Sequence, residues 1–263
     1  MHTANKILVR LKTQKPRIKF CQVTSDITDL RFCGFHDAGH KTRPNGKSQA
    51  GGLVFLVPSA VLNGERGGCI LLDWLSTKIE KVVGSPFEAE LQSAQIVADD
   101  IEVLTAMWCQ IFHGTTSREF RKRDWQLPAA ALVGDNKGLY TNATNLSVVK
   151  RQGERRTQID KVIFRQTIDY LNMYYMWVNA NHQLADGLTK LSAKASIHLI
   201  LSVLEHCKIQ ITYCQKSGKK ENAERSKDAV LKKFQISETY DLEKDDTEYE
   251  QAFAQVAARF SLK

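Results

Sequence analysis

Hydrophobic and polar positions alternate most tightly between Asp29 and Ala38, in the run Asp-Leu-Arg-Phe-Cys-Gly-Phe-His-Asp-Ala. Leu30, Phe32, Gly34 and His36 fall on one parity, and Arg31, Cys33, Phe35 and Asp37 on the other, which predicts a β-strand with an apolar middle. The strand ends on Asp37, on the core parity of Cys33 and Phe35. A carboxylate drawn toward a core is costly unless it is paired or holds a metal. Taken alone, Asp37 is equally well explained as the start of a turn.

After a loop with a turn signal at Asn45-Gly46, apolar runs at 51–57 and 69–75 predict two more strands. The turn residues Asn63-Gly64 and Gly67-Gly68 separate them, so the first three strands read as an antiparallel meander. Residues 86–112 carry an apolar stripe at helical spacing, opened by Ser85 as N-cap and Pro86 in the first turn. A basic connector follows. A fourth strand at 129–133 ends in Asp135, and a fifth spans 174–178. Helices are expected at 136–145, 154–171 and 182–191, the last carrying Asp186, and 196–207 extends the body. Weaker helical patterns lie at 4–11, 223–234 and 248–260.

The length of 263 residues and a 43% apolar fraction suit one core with appendages. The expected organisation is a basic lead-in (1–25), a body (26–207) and a charged, partly helical extension (208–263). The net charge is +8, and residues 216–263 hold 10 basic and 10 acidic residues, so the whole excess lies in residues 1–215. A basic body with a neutral tail suggests a polyanionic partner, against ordinary surface charge. None of the six cysteines forms a Cys-x-x-Cys pair, and Cys33, Cys69 and Cys109 sit in apolar runs. They read as buried free thiols of an intracellular protein, cytoplasmic or nuclear. The first 20 residues lack the apolar centre of a signal peptide, and no run is long enough to span a membrane.

Asp37, Glu90, Asp135 and Asp186 recur in the order strand, helix, strand, helix. If the two strands are central in one sheet, Asp37 and Asp135 meet at one edge. Four convergent carboxylates with no opposing Lys or Arg repel one another, and hard divalent cations that prefer oxygen resolve that repulsion. Two such ions suit in-line phosphodiester hydrolysis.

Six elements in order resemble the RNase H domain of copia-type LTR retrotransposon Pol polyproteins. They are His36-Asp37-Ala38, Trp74-Leu75-Ser76-Thr77-Lys78, Ser85-Pro86-Phe87-Glu88-Ala89-Glu90-Leu91, Asp135-Asn136, Arg156-Thr157-Gln158-Ile159-Asp160 and Gln183-Leu184-Ala185-Asp186-Gly187-Leu188-Thr189-Lys190. The resemblance covers about residues 25–200. It implies an RNase H-like α/β fold with a five-stranded mixed sheet flanked by helices. It also implies hydrolysis of the RNA strand of an RNA–DNA hybrid, with Asp37, Glu90, Asp135 and Asp186 as catalytic and metal-binding acids for two Mg²⁺ or Mn²⁺ ions. Arg155, Arg156 and Asn136 are candidates for nucleic-acid contact. The fifth element departs from the family in lacking its Lys-His. The absence of Tyr-x-Asp-Asp makes the chain look like a detached C-terminal piece, with any reverse transcriptase partner encoded elsewhere.

The family element contains both Glu88 and Glu90, and helix phase separates them. With Leu91 at ~0°, the apolar stripe centres near ~285°, Glu90 lies at ~260° and Glu88 at ~60°. Glu90 is therefore expected on the sheet-facing side and Glu88 in solvent. His182 is read as a polar helix start rather than a product-release histidine. Arg121-Lys122-Arg123 with Trp125 is a solvated loop or a basic–aromatic contact. Tyr174, Tyr175 and Trp177 are read as strand residues that are mostly core. The alternative functions are a catalytically decayed nucleic-acid-binding fragment and an interaction protein working through its tail.

Overall fold

The structure is a computed structural model that describes residues 19–43, 46–114, 130–144, 155–190 and 194–212. The helical patterns at 4–11, 223–234 and 248–260, and the basic segment with Trp125, lie outside the described residues. Five strands form one sheet: β1 (Leu30–Gly39), β2 (Gln49–Pro58), β4 (Ile70–Lys78), β5 (Ala130–Gly134) and β6 (Met173–Trp177). Their order is β4-β2-β1-β5-β6, with β1 antiparallel to β2, β2 antiparallel to β4, and β1, β5 and β6 parallel. This is the mixed sheet flanked by helices that the RNase H resemblance implies.

Helix α1 (Ser59–Leu62) and β3 (Arg66–Gly68) fill the connection between β2 and β4. The flanking helices are α2 (Pro86–His113), α3 (Lys137–Thr144), α4 (Arg155–Tyr170), α5 (Asp186–Thr189) and α6 (Lys194–His206), and β7 (Lys208–Gln210) closes the described chain. β1 is buried on both faces, as expected for a central strand carrying helices above and below. Phe32 packs with Leu91, Val97 and Ile101 of α2 and with Phe164 of α4, whereas Cys33 and Phe35 pack with Leu184, Leu188, Ile197 and Ile200. Period-2 alternation therefore separates two cores rather than a core from solvent. Gly34 lets α2 lie close on β1, because a Cβ there would come within 2.7 Å of Val97 Cγ1.

Three expectations are corrected. The helix at 182–191 is a 3₁₀ turn (Ala180–His182), a linking segment and the four-residue α5. The helix is broken at Gln183, which has extended backbone and is buried with its side-chain amide turned into the sheet. The packed body runs past residue 207: β7 pairs with β3, and Ile209 and Ile211 are buried. The acidic cluster also has a lysine opposite it, described below. No helix among the described residues is long and apolar enough to cross a membrane.

Candidate metal centre

β1 and β5 pair in parallel with Phe35 opposite Val133, so two residues further on stand neighbouring carboxylates, Asp37 near the end of β1, where it still pairs with β2, and Asp135 just past the end of β5. The end of β1 is pinned from both faces. Ser93 Oγ of α2 donates to the Asp37 carbonyl at 2.7 Å, and Gln183 Nε2 donates to the His36 carbonyl at 2.7 Å. The end of β5 is held by Trp177, whose indole N–H donates to the Asp135 carbonyl at 2.9 Å.

α2 delivers the third carboxylate. Ser85 Oγ accepts from the Glu88 N–H at 3.2 Å, while the Glu88 carboxylate accepts from the Gly84 N–H and from Thr157 Oγ1. Glu88 is thus consumed in fixing the start of the helix and tying α4 to it. Glu90, two residues on, faces the sheet and is 8% exposed. Its Oε1 accepts from the Ala38 N–H at 3.4 Å. Asp37, Glu90 and Asp135 each offer an oxygen, and these oxygens all lie within 4.8 Å of one another.

Asp186 is not in that group. Its carboxylate bonds Lys190 one helical turn on, and Lys190 Nζ stands 3.6 Å from Asp37 Oδ1. The sequence reading placed no Lys or Arg opposite the acids. Lys190 is that cation, brought there by α5 packing across β1 and β2. Thr189 Oγ1 from the same turn donates to Asp37 Oδ2.

Burial raises the carboxyl of Asp37 above the ordinary range, with Lys190 and Thr189 working against it. Burial, then the charge of Asp37, raises Glu90 well above its ordinary value, and burial with Glu90 raises Asp135. Burial works against the charge of Lys190, but Asp37 and Asp186 outweigh it and hold the ammonium above its ordinary range.

His36 and Tyr175 extend the site inward. His36 is fully buried beside Asp37, on the α2 face, and burial lowers its imidazole to about 4. Its Nε2 lies 2.7 Å from the Tyr175 hydroxyl, and its Nδ1 lies 3.6 Å from Glu90 Oε2. Neither residue stood among the sequence-level candidates. His36 adjoins the strand-end Asp, which was the available signal, but Tyr175 looked like core and is core on every atom but its hydroxyl.

Asn136 Oδ1 accepts from the Leu139 N–H at 3.0 Å and caps α3. Arg155 is the first residue of α4, and Arg156 is exposed beside it. Asp160 of the same helix is held by Lys81, at 2.5 Å and 2.6 Å, and by Gln92.

The donor set fits a hard divalent cation. Among the described residues neither Asp37 Oδ1, which has Lys190 Nζ at 3.6 Å, nor Glu90 Oε2 has a hydrogen-bond partner although both are buried, and all three converging groups are carboxylates. One lysine cannot neutralise three buried carboxylates, and their ionised forms are costly unless further positive charge meets them.

No family model and no curated protein matches the chain. Among solved structures it is similar to the N-terminal RNase H domain of a Mycobacterium tuberculosis protein, at 15% identity and a TM-score of 0.37, covering 59% of this chain and 92% of that one. It is similar to LC11-RNase H1 from compost in complex with an RNA/DNA hybrid, at 12% identity and a TM-score of 0.39, covering 60% and 92%. A foamy viral protease-reverse transcriptase in complex with an RNA/DNA hybrid is similar at 10% identity and a TM-score of 0.39, covering 69% of this chain and 22% of that one. No residue role is carried over from any of them.

Proposed function

We propose that this chain is a metal-dependent endonuclease that hydrolyses the RNA strand of RNA–DNA hybrids, of copia-type retrotransposon Pol origin. The observation that carries the reading is the meeting of Asp37, Glu90 and Asp135 within 4.8 Å, with two buried oxygens that accept no hydrogen bond among the described residues. The order of six sequence elements supports the substrate and the origin.

Asp37, Glu90 and Asp135 would hold Mg²⁺ or Mn²⁺, with Asp186 at the rim contributing to a second ion. When bound, such ions activate water and stabilise the departing oxygen in phosphodiester hydrolysis. The chain's own contribution is placement. The ends of β1 and β5 fix two carboxylates side by side, the buried face of α2 fixes the third, and Ser93, Gln183 and Trp177 hold the backbone beneath them. Arg155 and Arg156 at the start of α4 would contact phosphates. Cys33, Cys69 and Cys109 are in no disulfide, which favours a reducing compartment, cytoplasmic or nuclear.

The test is cleavage of a labelled hybrid with Mg²⁺, Mn²⁺ or EDTA. Cleavage should require a divalent ion and vanish in both Asp37→Asn and Asp135→Asn while the fold persists. Full activity in EDTA, or in both variants, would refute an enzymatic reading. One observation favours the alternative, a nucleic-acid-binding fragment with a decayed site: Asp186 is engaged by Lys190 and stands apart from the other three acids. Hybrid binding without cleavage under every metal condition would select it.

A further inference from the structure

The metal-centre reading explains the three carboxylates but not the buried pair behind them. His36 has no contact with solvent, and its ring spans the gap between Tyr175 and Glu90. One nitrogen meets the phenol at hydrogen-bond distance. The other, Nδ1, faces Glu90 Oε2 at 3.6 Å, and both of these atoms are buried without a hydrogen-bond partner.

The chemistry of the three groups fixes the direction of the chain. With an ion bound, Glu90 is an ionised carboxylate that only accepts, so the nitrogen facing it must carry the proton if the two are to bond. A neutral imidazole then presents a lone pair at Nε2, and the Tyr175 hydroxyl donates to it. Gly134 makes the arrangement possible, because a Cβ there would fall 2.3 Å from the Tyr175 oxygen and 2.5 Å from His36 Nε2. The residue before the ligand Asp135 is thus as small as it can be where the pair needs room. Among the described residues, the other oxygen of Glu90 accepts one hydrogen bond, from the Ala38 N–H at 3.4 Å.

We infer that His36 and Tyr175 are positioning residues for Glu90, Tyr175 selecting the Nδ1–H tautomer of His36 and His36 orienting the Glu90 carboxylate toward the ion. The inference rests on the metal-centre reading. Partners that orient ligands from behind are a general feature of metal sites. Here the partner is a neutral relay two residues deep, one from β1 and one from β6, adjoining the strands that carry the aspartates.

The test separates the two ring nitrogens. In His36→Asn an amide replaces the Nδ1 side and can still donate to Glu90. In His36→Gln the amide reaches the Nε2 side, keeping Tyr175 and leaving Glu90 unsupported. Mn²⁺ affinity is measured on the full chain by the loss of the free-ion EPR signal. His36→Gln should weaken binding roughly 10–100-fold and Tyr175→Phe by a smaller factor, with His36→Asn within about threefold of wild type. Because a buried variant can fail to fold, the wild-type tautomer is measured alongside by ¹⁵N NMR of the imidazole at saturating Mg²⁺, where Glu90 is ionised. Protonation at Nδ1 is expected. Protonation at Nε2, or equal Mn²⁺ affinity in folded His36→Gln and wild type, would overturn the inference. Absence of Mn²⁺ binding by wild type would instead overturn the metal-centre reading and remove the ground for this one.

Discussion

Glu90→Gln should stabilise this protein in the absence of divalent ions, and the gain should grow with pH. Glu90 is buried against two other carboxylates, with oxygens within 4.8 Å. At an effective dielectric near 20, each pair of full charges at about 5 Å repels by roughly 3 kcal/mol. Lys190 relieves Asp37, which it approaches directly, more than Glu90. The folded protein therefore keeps a proton on Glu90 well above the ordinary value of 4.5. Between that value and the raised folded one, the native state binds more protons than the unfolded chain, so stability falls as pH rises, by about 1.4 kcal/mol per pH unit. Gln has the shape of the protonated acid and escapes this loss. In EDTA, melting temperatures of variant and wild type should coincide near pH 4.5 and diverge upward, with the variant higher. For a body of this size each kcal/mol moves the midpoint by roughly 2–4 °C, so the gap should reach several degrees at neutral pH. Adding Mg²⁺ should raise the wild type, by about 2.7 kcal/mol at a hundredfold excess over Kd, and leave the variant nearly unmoved. A variant that melts at or below wild type in EDTA at neutral pH, or a gap independent of pH, would refute the account of Glu90.

Lys190→Met removes the cation beside buried Asp37 and should destabilise the metal-free protein by roughly 1–2 kcal/mol, a figure kept low because the lysine is 40% exposed; chemical denaturation in EDTA measures it, and an unchanged midpoint would show the contact to be idle. Hybrid affinity, followed by fluorescence anisotropy, should fall steeply between about 50 and 200 mM salt and persist in Asp37→Asn, since phosphate contacts and chemistry use different groups. Salt-independent binding would remove the polyanion reading of the basic body. Truncation after Gln215 should leave the thermal transition of the body in place, whereas truncation after Cys207 should lower it by stripping β7 from β3; equal melts for the two would contradict the pairing described for Arg66–Gly68.

Local signals carried most of the architecture. Ser85 and Pro86 mark the start of α2 because a capping side chain and a missing N–H are properties of adjacent residues. The phase of the apolar stripe distinguished Glu90 from Glu88, because rotation along a helix is fixed by geometry alone. What escaped depends on distant partners. β3 and β7 are three residues each, one containing Gly67 and Gly68, and neither shows a period until they are paired. Lys190 stands in the sixth motif, one turn from Asp186, yet its place beside Asp37 depends on where a four-residue helix lands on the sheet. The expected longer helix is interrupted at Gln183, whose backbone is extended and whose side-chain amide donates to β1. Tyr175 was recognisable as core, but its hydroxyl finds His36 only when β6 is laid beside β5.

The seam where the body closes also determines where its chain enters and leaves. The Lys19 ammonium donates to the Glu205 carbonyl at 3.0 Å, the Cys207 thiol donates to the Lys19 carbonyl, and the Cys21 thiol reaches the carbonyls of Cys69 and Cys207. Points 186 and 188 residues apart in sequence are thus neighbours in space. Neighbouring ends are what allow a domain to be circularly permuted, or inserted into a loop of another protein, without stretching its host. A linker long enough to run back along β7 from residue 212 to residue 19, with new ends opened in the connection between β2 and β4, would reorder the chain while leaving the central strands and their carboxylates in the same sheet. Such a permutant would synthesise β4 and α2 first and β1 late, so the order of assembly would change while the site itself did not.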